Sequence, residues 1–265
     1  MVWTRGPATA RRSLVATVGL ALLAILAAGC TPEEAAPPTS SPSYTDGKVV
    51  VRDSFDRQVK DGWGEADLGG AYLIDPGPTM SVSDGVGRMV MPRPGIEHWA
   101  RLSTAKPRDL VATVDVVLGK IPTRGSGTYL AIDTRSDGFS FYQLGLRVKT
   151  DRKAYLSLTR YDGTPDAKLP LAPETVVATK LTDGAELHLR LRVAGVTPVE
   201  IGASLTTGNT PAPDKSQVAA SDASASRLVA GGAFEMSAYA SKSTPGPQTI
   251  TFDNLQLMQL LEGPA

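Results

Sequence analysis

From Lys48 onward, apolar and polar residues take turns along the chain. Leu187, Leu189, Leu191 and Val193 alternate with His188, Arg190 and Arg192. Tyr142, Leu144, Leu146 and Val148 alternate with Gln143, Gly145 and Arg147, and Val199, Ile201, Ala203 and Leu205 alternate with Glu200, Gly202 and Ser204. A period of two puts successive side chains on opposite faces, so each segment predicts a strand with one face in a core. The same reading predicts strands near 48–55, 79–91, 98–103, 110–118, 127–134, 153–161, 228–240 and 248–259. Between them stand turn triplets: Ser83-Asp84-Gly85, Thr123-Arg124-Gly125, Ser136-Asp137-Gly138, Tyr161-Asp162-Gly163 and Thr182-Asp183-Gly184. No window holds a 3.6-residue period of helix length, and 213–226 is expected to form a short turn at most. One-sided strands in this number imply an all-β fold, two antiparallel sheets packed as a sandwich.

The first 47 residues follow a different pattern. Arg5, Arg11 and Arg12 precede an uncharged apolar run from Leu14 to Ala28, too short for a comfortable membrane span. The run ends in Leu26-Ala27-Ala28-Gly29-Cys30, and Cys30 is the single cysteine of the chain. Residues 1–29 therefore read as a lipoprotein signal peptide, with Cys30 as the lipidated first residue of the mature chain. This places the protein on the extracytoplasmic face of the cell membrane, held by a lipid anchor. Arg11-Arg12 followed by Ser13-Leu14-Val15 also resembles a twin-arginine export core, which leaves the export route open. Residues 30–47 are rich in Pro, Ser, Thr and Glu and nearly free of apolar side chains; they are expected to form a disordered tether. The folded domain is expected over 48–260.

Composition narrows the chemistry. The 27 basic and 27 acidic residues balance over the whole chain. Removal of the three leader arginines leaves about −3, which gives no electrostatic reason to bind nucleic acid. With Cys30 lipidated, neither a disulfide nor a thiolate metal site is available, and two histidines make zinc an unpromising ligand.

Several blocks carry a resemblance. Asp53-Ser54-Phe55-Asp56-Arg57, the run Gly62-Trp63-Gly64-Glu65-Ala66-Asp67-Leu68-Gly69-Gly70-Ala71-Tyr72, the segment 232–241 and the closing Thr251-Phe252-Asp253-Asn254-Leu255 resemble a family of secreted actinobacterial domains. That family has the concanavalin A-like lectin/glucanase jelly roll, and the likeness spans about residues 50–258. It implies a glycan-binding or cell-envelope interaction module, and first and last strands lying side by side. That pairing would bring Asp53 and Asp56 close to Asp253, where carboxylates could hold a structural calcium ion; the alternative is that these aspartates bond turn backbone. No other cofactor is implied. Relatives often carry a tryptophan near 208–217, where this chain has none.

Catalytic signatures are incomplete. Jelly-roll hydrolases of the laminarinase type need Glu-x-Asp-x-x-Glu on one strand; Glu65 and Asp67 supply two of the three, in a glycine-rich loop. The Gln, His, Arg and Tyr of an alginate-lyase-like site could be fitted to Gln143, Arg147, Tyr155 and His188. No Gly-x-Ser-x-Gly elbow stands near His98 or His188. Trp99 is the more informative aromatic. Ala100 and Leu102 set the apolar phase of its strand, so Trp99 and Arg101 should point away from the core, as a stacking platform for a sugar or under a covering loop. Tyr129, Gln143, Arg147 and Tyr155 also alternate outward and could share that face. The expectation is a monomeric lipoprotein that binds a polysaccharide or envelope glycan. A hydrolase or lyase with a divergent site is the alternative, and a purely structural envelope protein the third.

Overall fold

A computed structural model describes residues 42–75, 79–163 and 167–263. Cys30, the leader and most of the tether lie outside the described residues. The alternating segments form strands, and their apolar halves meet in one core: Leu187, Leu189, Leu191 and Val193 are all buried, while His188, Arg190 and Arg192 are half-buried on the opposite face. No helix occurs among the described residues.

Two antiparallel sheets build the sandwich. The first contains β1 (Tyr44–Asp53), β3 (Met80–Ser83), β4 (Val86–Met91), β6 (Leu110–Leu118), β11 (Glu186–Ala194), β12 (Val199–Thr207), β13 (Val218–Asp222) and β15 (Gln248–Glu262). Its order is β13-β12-β11-β6-β15-β4-β3. The long β15 pairs with β4 through Gln248–Phe252 and with β1 through its second half, so the first and last strands lie side by side. The second sheet runs β10 (Lys168–Ala178), β9 (Ala154–Asp162), β8 (Ser140–Val148), β7 (Thr128–Ser136), β14 (Ala233–Ala240), β5 (Glu97–Leu102) and β2 (Leu73–Ile74). The β3–β4 hairpin turns on Asp84 and Gly85, both at positive φ (56° and 74°), as a two-residue turn matching the twist of its strands requires.

One boundary and two whole strands, β10 and β13, differ from the sequence expectation. β1 begins at Tyr44, inside the segment read as tether, because Tyr44–Asp46 find backbone partners in Leu260–Glu262, past the expected domain end at 260. Strand β10 carries Pro170 and Pro173 and has little alternation; it sits at a sheet edge, where a missing N–H costs no ladder bond. Strand β13, in the stretch expected to hold a short turn at most, is the opposite edge of the other sheet.

The core is closed at one end by aromatic packing: Trp63 meets Phe55, Tyr72 and Phe252 edge-on, with ring centroids 5.2–5.3 Å apart. Buried polar networks tie the layers together. Arg160 and Tyr142 from the second sheet both bond Asp222 of the first, at 2.7 and 2.8 Å. Arg135, buried in β7, donates to Asp109 and to the carbonyls of Arg108, Gly195 and Leu228. Each guanidinium satisfies several acceptors, as a charge withdrawn from water must.

Candidate functional site: the outer face of the seven-stranded sheet

The register of β5, β14, β7, β8 and β9 arranges their outward side chains in cross-strand rows. The middle row reads Trp99, Ser237, Ala131, Gly145, Ser157. One flanking row reads Arg101, Glu235, Asp133, Gln143, Thr159; the other reads Glu97, Tyr239, Tyr129, Arg147, Tyr155. Four small residues between two rows of large ones leave a trench running across the strands, with the Trp99 indole at one end. Neighbouring strands lie ~4.8 Å apart, so the five-strand row is about 19 Å long. The groove has a volume of about 310 Å³, and Lys168 and Glu174 of β10 join its lining. Gly145 is needed at full depth: a Cβ there would stand 2.8 Å from Ser157 Oγ.

The side chains of the rows are held in place. Arg147 donates to the Ser126 carbonyl at 2.7 Å and to Glu174 at 3.1 Å, with its guanidinium 5.0 Å from the Tyr129 ring centroid. Lys149 lies 3.7 Å from the Tyr155 centroid. Ser237 Oγ donates to Glu97 at 2.8 Å. Arg101 bonds Glu235 at 2.6 Å and lies 5.5 Å from the Trp99 centroid.

Two carboxyls in the first flanking row have altered proton affinity. Burial pushes Asp133 well above the ordinary carboxylate range, and the neighbouring Glu235 adds to that; Gln143 Nε2, which donates to it at 3.0 Å, pulls the other way. Burial also raises Glu235, opposed by its Arg101 partner. Their backbones are direct cross-strand partners.

All six residues singled out from the sequence fall on this one face. Tyr129, Gln143 and Arg147 line the groove. Trp99 closes its row, Arg101 is engaged by Glu235, and Tyr155 ends the aromatic row. Sequence reasoning missed Glu235, Ser237 and Tyr239, although they alternate with the buried Phe234, Met236 and Ala238 and the phase alone marks them as outward. Asp133 and Glu97 were missed as well. Their membership of the face depends on register, which is not written locally.

The three aspartates proposed for calcium are not brought together as a ligand set. Asp53 is fully buried, its oxygens taken by Arg57 at 2.6 and 2.9 Å, by Tyr72 Oη at 2.9 Å and by the Phe55 amide. Asp56 is exposed, and Asp253 lies on the outer face of the eight-stranded sheet, opposite Asp115. That outer face holds a different group: ligand atoms of Asp115, Glu186 and His188 all lie within 4.8 Å of one another. His188 alternates outward as expected. Burial works against its charge, but hydrogen bonds to Asp115 and to the Gly208 carbonyl outweigh that and raise its pKa.

Sequence comparison finds no matching family model and no matching curated protein. Solved structures do match. The alginate lyase Aly36B superposes with a TM-score of 0.52 at 9% identity, over 81% of this chain and 98% of that one. The exoplasmic/lumenal domain of VIP36, in its Ca2+/Man2-bound form, gives 0.51 at 12% identity, over 81% and 91%. The fold is a jelly-roll sandwich of the concanavalin A-like lectin and glucanase type. At these identities the likeness is one of fold.

Proposed function

We propose that this chain is a membrane-anchored extracytoplasmic lipoprotein whose jelly roll binds a polysaccharide or envelope glycan in the trench across the seven-stranded sheet. The observation that carries the reading is the row of small residues ending at Trp99 and flanked by tyrosines and polar side chains. It offers a sugar chain an apolar platform, a floor without obstruction and hydrogen-bonding groups along both sides. Two proteins of the same fold, an alginate lyase and a Man2-bound domain, are carbohydrate proteins by name, which supports the class of ligand. The Leu26–Cys30 motif and the resemblance of the 53–72 and 251–255 blocks to secreted actinobacterial domains support the address. A glycan array probed with the purified protein tests the reading. Ala131→Trp, which fills the middle of the floor, should abolish every hit while leaving the melting temperature within a few degrees. A hit that survives that substitution moves the site elsewhere. For the anchor, Cys30→Ser should release the protein from salt-washed membranes, since one lipidated terminus is the attachment.

A second reading, polysaccharide hydrolase or lyase, is favoured by Asp133 and Glu235. Directly opposed residues of an antiparallel pair have Cβ atoms ~4.5–5.5 Å apart, so the two carboxyls stand side by side on one face, as paired-carboxylate glycosidase chemistry requires. Burial raises both carboxyls, Asp133 the more strongly, while Arg101 holds Glu235 toward its ionised form, so the two environments pull the pair apart as acid and base roles require. Release of reducing ends from a polysaccharide bound on the array, lost in Glu235→Gln, would establish it.

A further inference from the structure

The outer face of the eight-stranded sheet, on the far side of the sandwich from the trench, carries a second constellation. His188 of β11 and Asp115 of β6 are register partners, and Asp115 is in turn opposite Asp253 of β15. Glu186, two residues before His188, projects on the same side. The histidine is held by both ring nitrogens. Its Nε2 contacts the carbonyl of Gly208, and its Nδ1 stands 2.5 Å from Asp115 Oδ1. A backbone carbonyl can only accept, so the ring donates its Nε2–H there, and Nδ1 is left as the atom that shares a proton with Asp115 and can exchange it for a cation. Asp115 is oriented in the same manner, its Oδ2 accepting from Asn254 Nδ2 at 2.9 Å. Both first ligands thus have outer partners that aim them at Glu186.

Charge points the same way. Asp115, Glu186 and Asp253 gather three carboxylates, and no lysine or arginine forms an ion pair with any of them among the described residues; the nearby Arg190 is paired with Asp214. The group borders a groove of about 540 Å³, open to solvent, so an ion there could complete its shell with water or with a groove-bound ligand.

We propose that Asp115, Glu186 and His188 bind a divalent transition ion of the Mn2+ to Zn2+ class. One imidazole nitrogen with two carboxylates favours such an ion over calcium, which takes six to eight oxygens and gains little from nitrogen. The ion replaces the proton shared between His188 and Asp115 and cross-links β6 to β11. It leaves the trench on the other sheet untouched.

The test is calorimetric titration of the purified, chelator-stripped protein with ZnCl2, MnCl2 and CaCl2, with thermal melts in parallel. The expected result is one ion per chain for Zn2+ or Mn2+, a raised melting temperature, and at least tenfold weaker binding of Ca2+. His188→Gln and Asp115→Asn should each weaken binding tenfold or more. Because those two also lose hydrogen bonds, Glu186→Gln serves as the folding-neutral variant: it is exposed and should lower affinity without shifting the melt of the metal-free protein. Absence of stoichiometric binding, or binding unchanged in Glu186→Gln and His188→Gln, overturns the site. Tighter binding of Ca2+ than of Zn2+ overturns the assignment of the ion.

Discussion

The two outer faces of the sandwich are built on the same strand geometry and differ in what occupies their central rows. On the seven-stranded sheet the middle row is small, Ser237-Ala131-Gly145-Ser157, and the large side chains stand to either side. On the eight-stranded sheet the corresponding surface is crowded with charge: Asp115, His188, Arg190 and Asp253 contact one another or nearby loops. A face stripped of bulk offers shape to an extended ligand, whereas a face that concentrates carboxylates around a fixed imidazole offers charge to a compact one. One fold therefore provides two chemically unlike surfaces, because the inward halves of the strands make the core and leave the outward halves free to differ.

The core beneath both faces should fail first. Phe252 is fully buried and packs edge-on against Trp63. Phe252→Ala should cost ~3–5 kcal/mol in denaturant unfolding, since it leaves a cavity between the sheets. It should also weaken ligand binding on both faces together. An unchanged unfolding midpoint would contradict the packing of β15 against that end of the core.

Separating the faces requires substitutions on one of them. Trp99→Ala should weaken glycan binding by ~2 kcal/mol in calorimetry while the melting temperature barely moves, as expected of a half-exposed anchor residue. A loss of stability without a change in binding would make Trp99 a packing residue and shift the trench's ligand away from β5.

The third prediction concerns the link between the sheets. Asp222 is buried; burial alone would raise its carboxyl, but hydrogen bonds from Ser224, Arg160 and Tyr142 outweigh that and lower it to about 2. A carboxylate with a lower pKa in the folded state stabilises the fold above its unfolded value, ~3.8, and loses that contribution as pH falls toward 2. At ~1.4 kcal/mol per unit, the network should contribute about 2 kcal/mol that disappears between pH 5 and 2. Asp222→Asn should flatten that part of the stability profile. Asp133 has the opposite sign: its raised pKa gives stability that is full below ~3.8 and declines as pH rises, so Asp133→Asn should remove a decline on the alkaline side.

The smallest expected effect tests the independence of the faces. Glu186→Gln, at an exposed position on the eight-stranded sheet, should alter glycan affinity by less than ~0.5 kcal/mol, because distant sites add independently. A larger change in the calorimetric affinity would show coupling through the core.

The strands themselves were legible, because a period of two records which side chains a sheet buries. Leu187 to Val193, Tyr142 to Val148 and the outward phase of Trp99 and Arg101 all appear in the structure as the alternation predicts. Two of the edge strands were harder: β10 and β13 bury little, so neither carries a strong alternating signal. The turn at Asp84-Gly85 was legible for a local reason too, since it needs residues that tolerate positive φ. Local pattern and turn chemistry thus determined the sandwich, its layers and the outward-facing residues. The trench, the Asp133–Glu235 pair and the grouping of Asp115 with His188 belong to the tertiary structure alone. Each joins residues far apart in the chain through the register of strands such as β14 with β7 and β11 with β6. Register is set by core packing over the whole sheet, and a shift of one residue would exchange buried and exposed side chains along the strand. Alternation states which face a residue occupies, and only the packed core decides which residues it meets there.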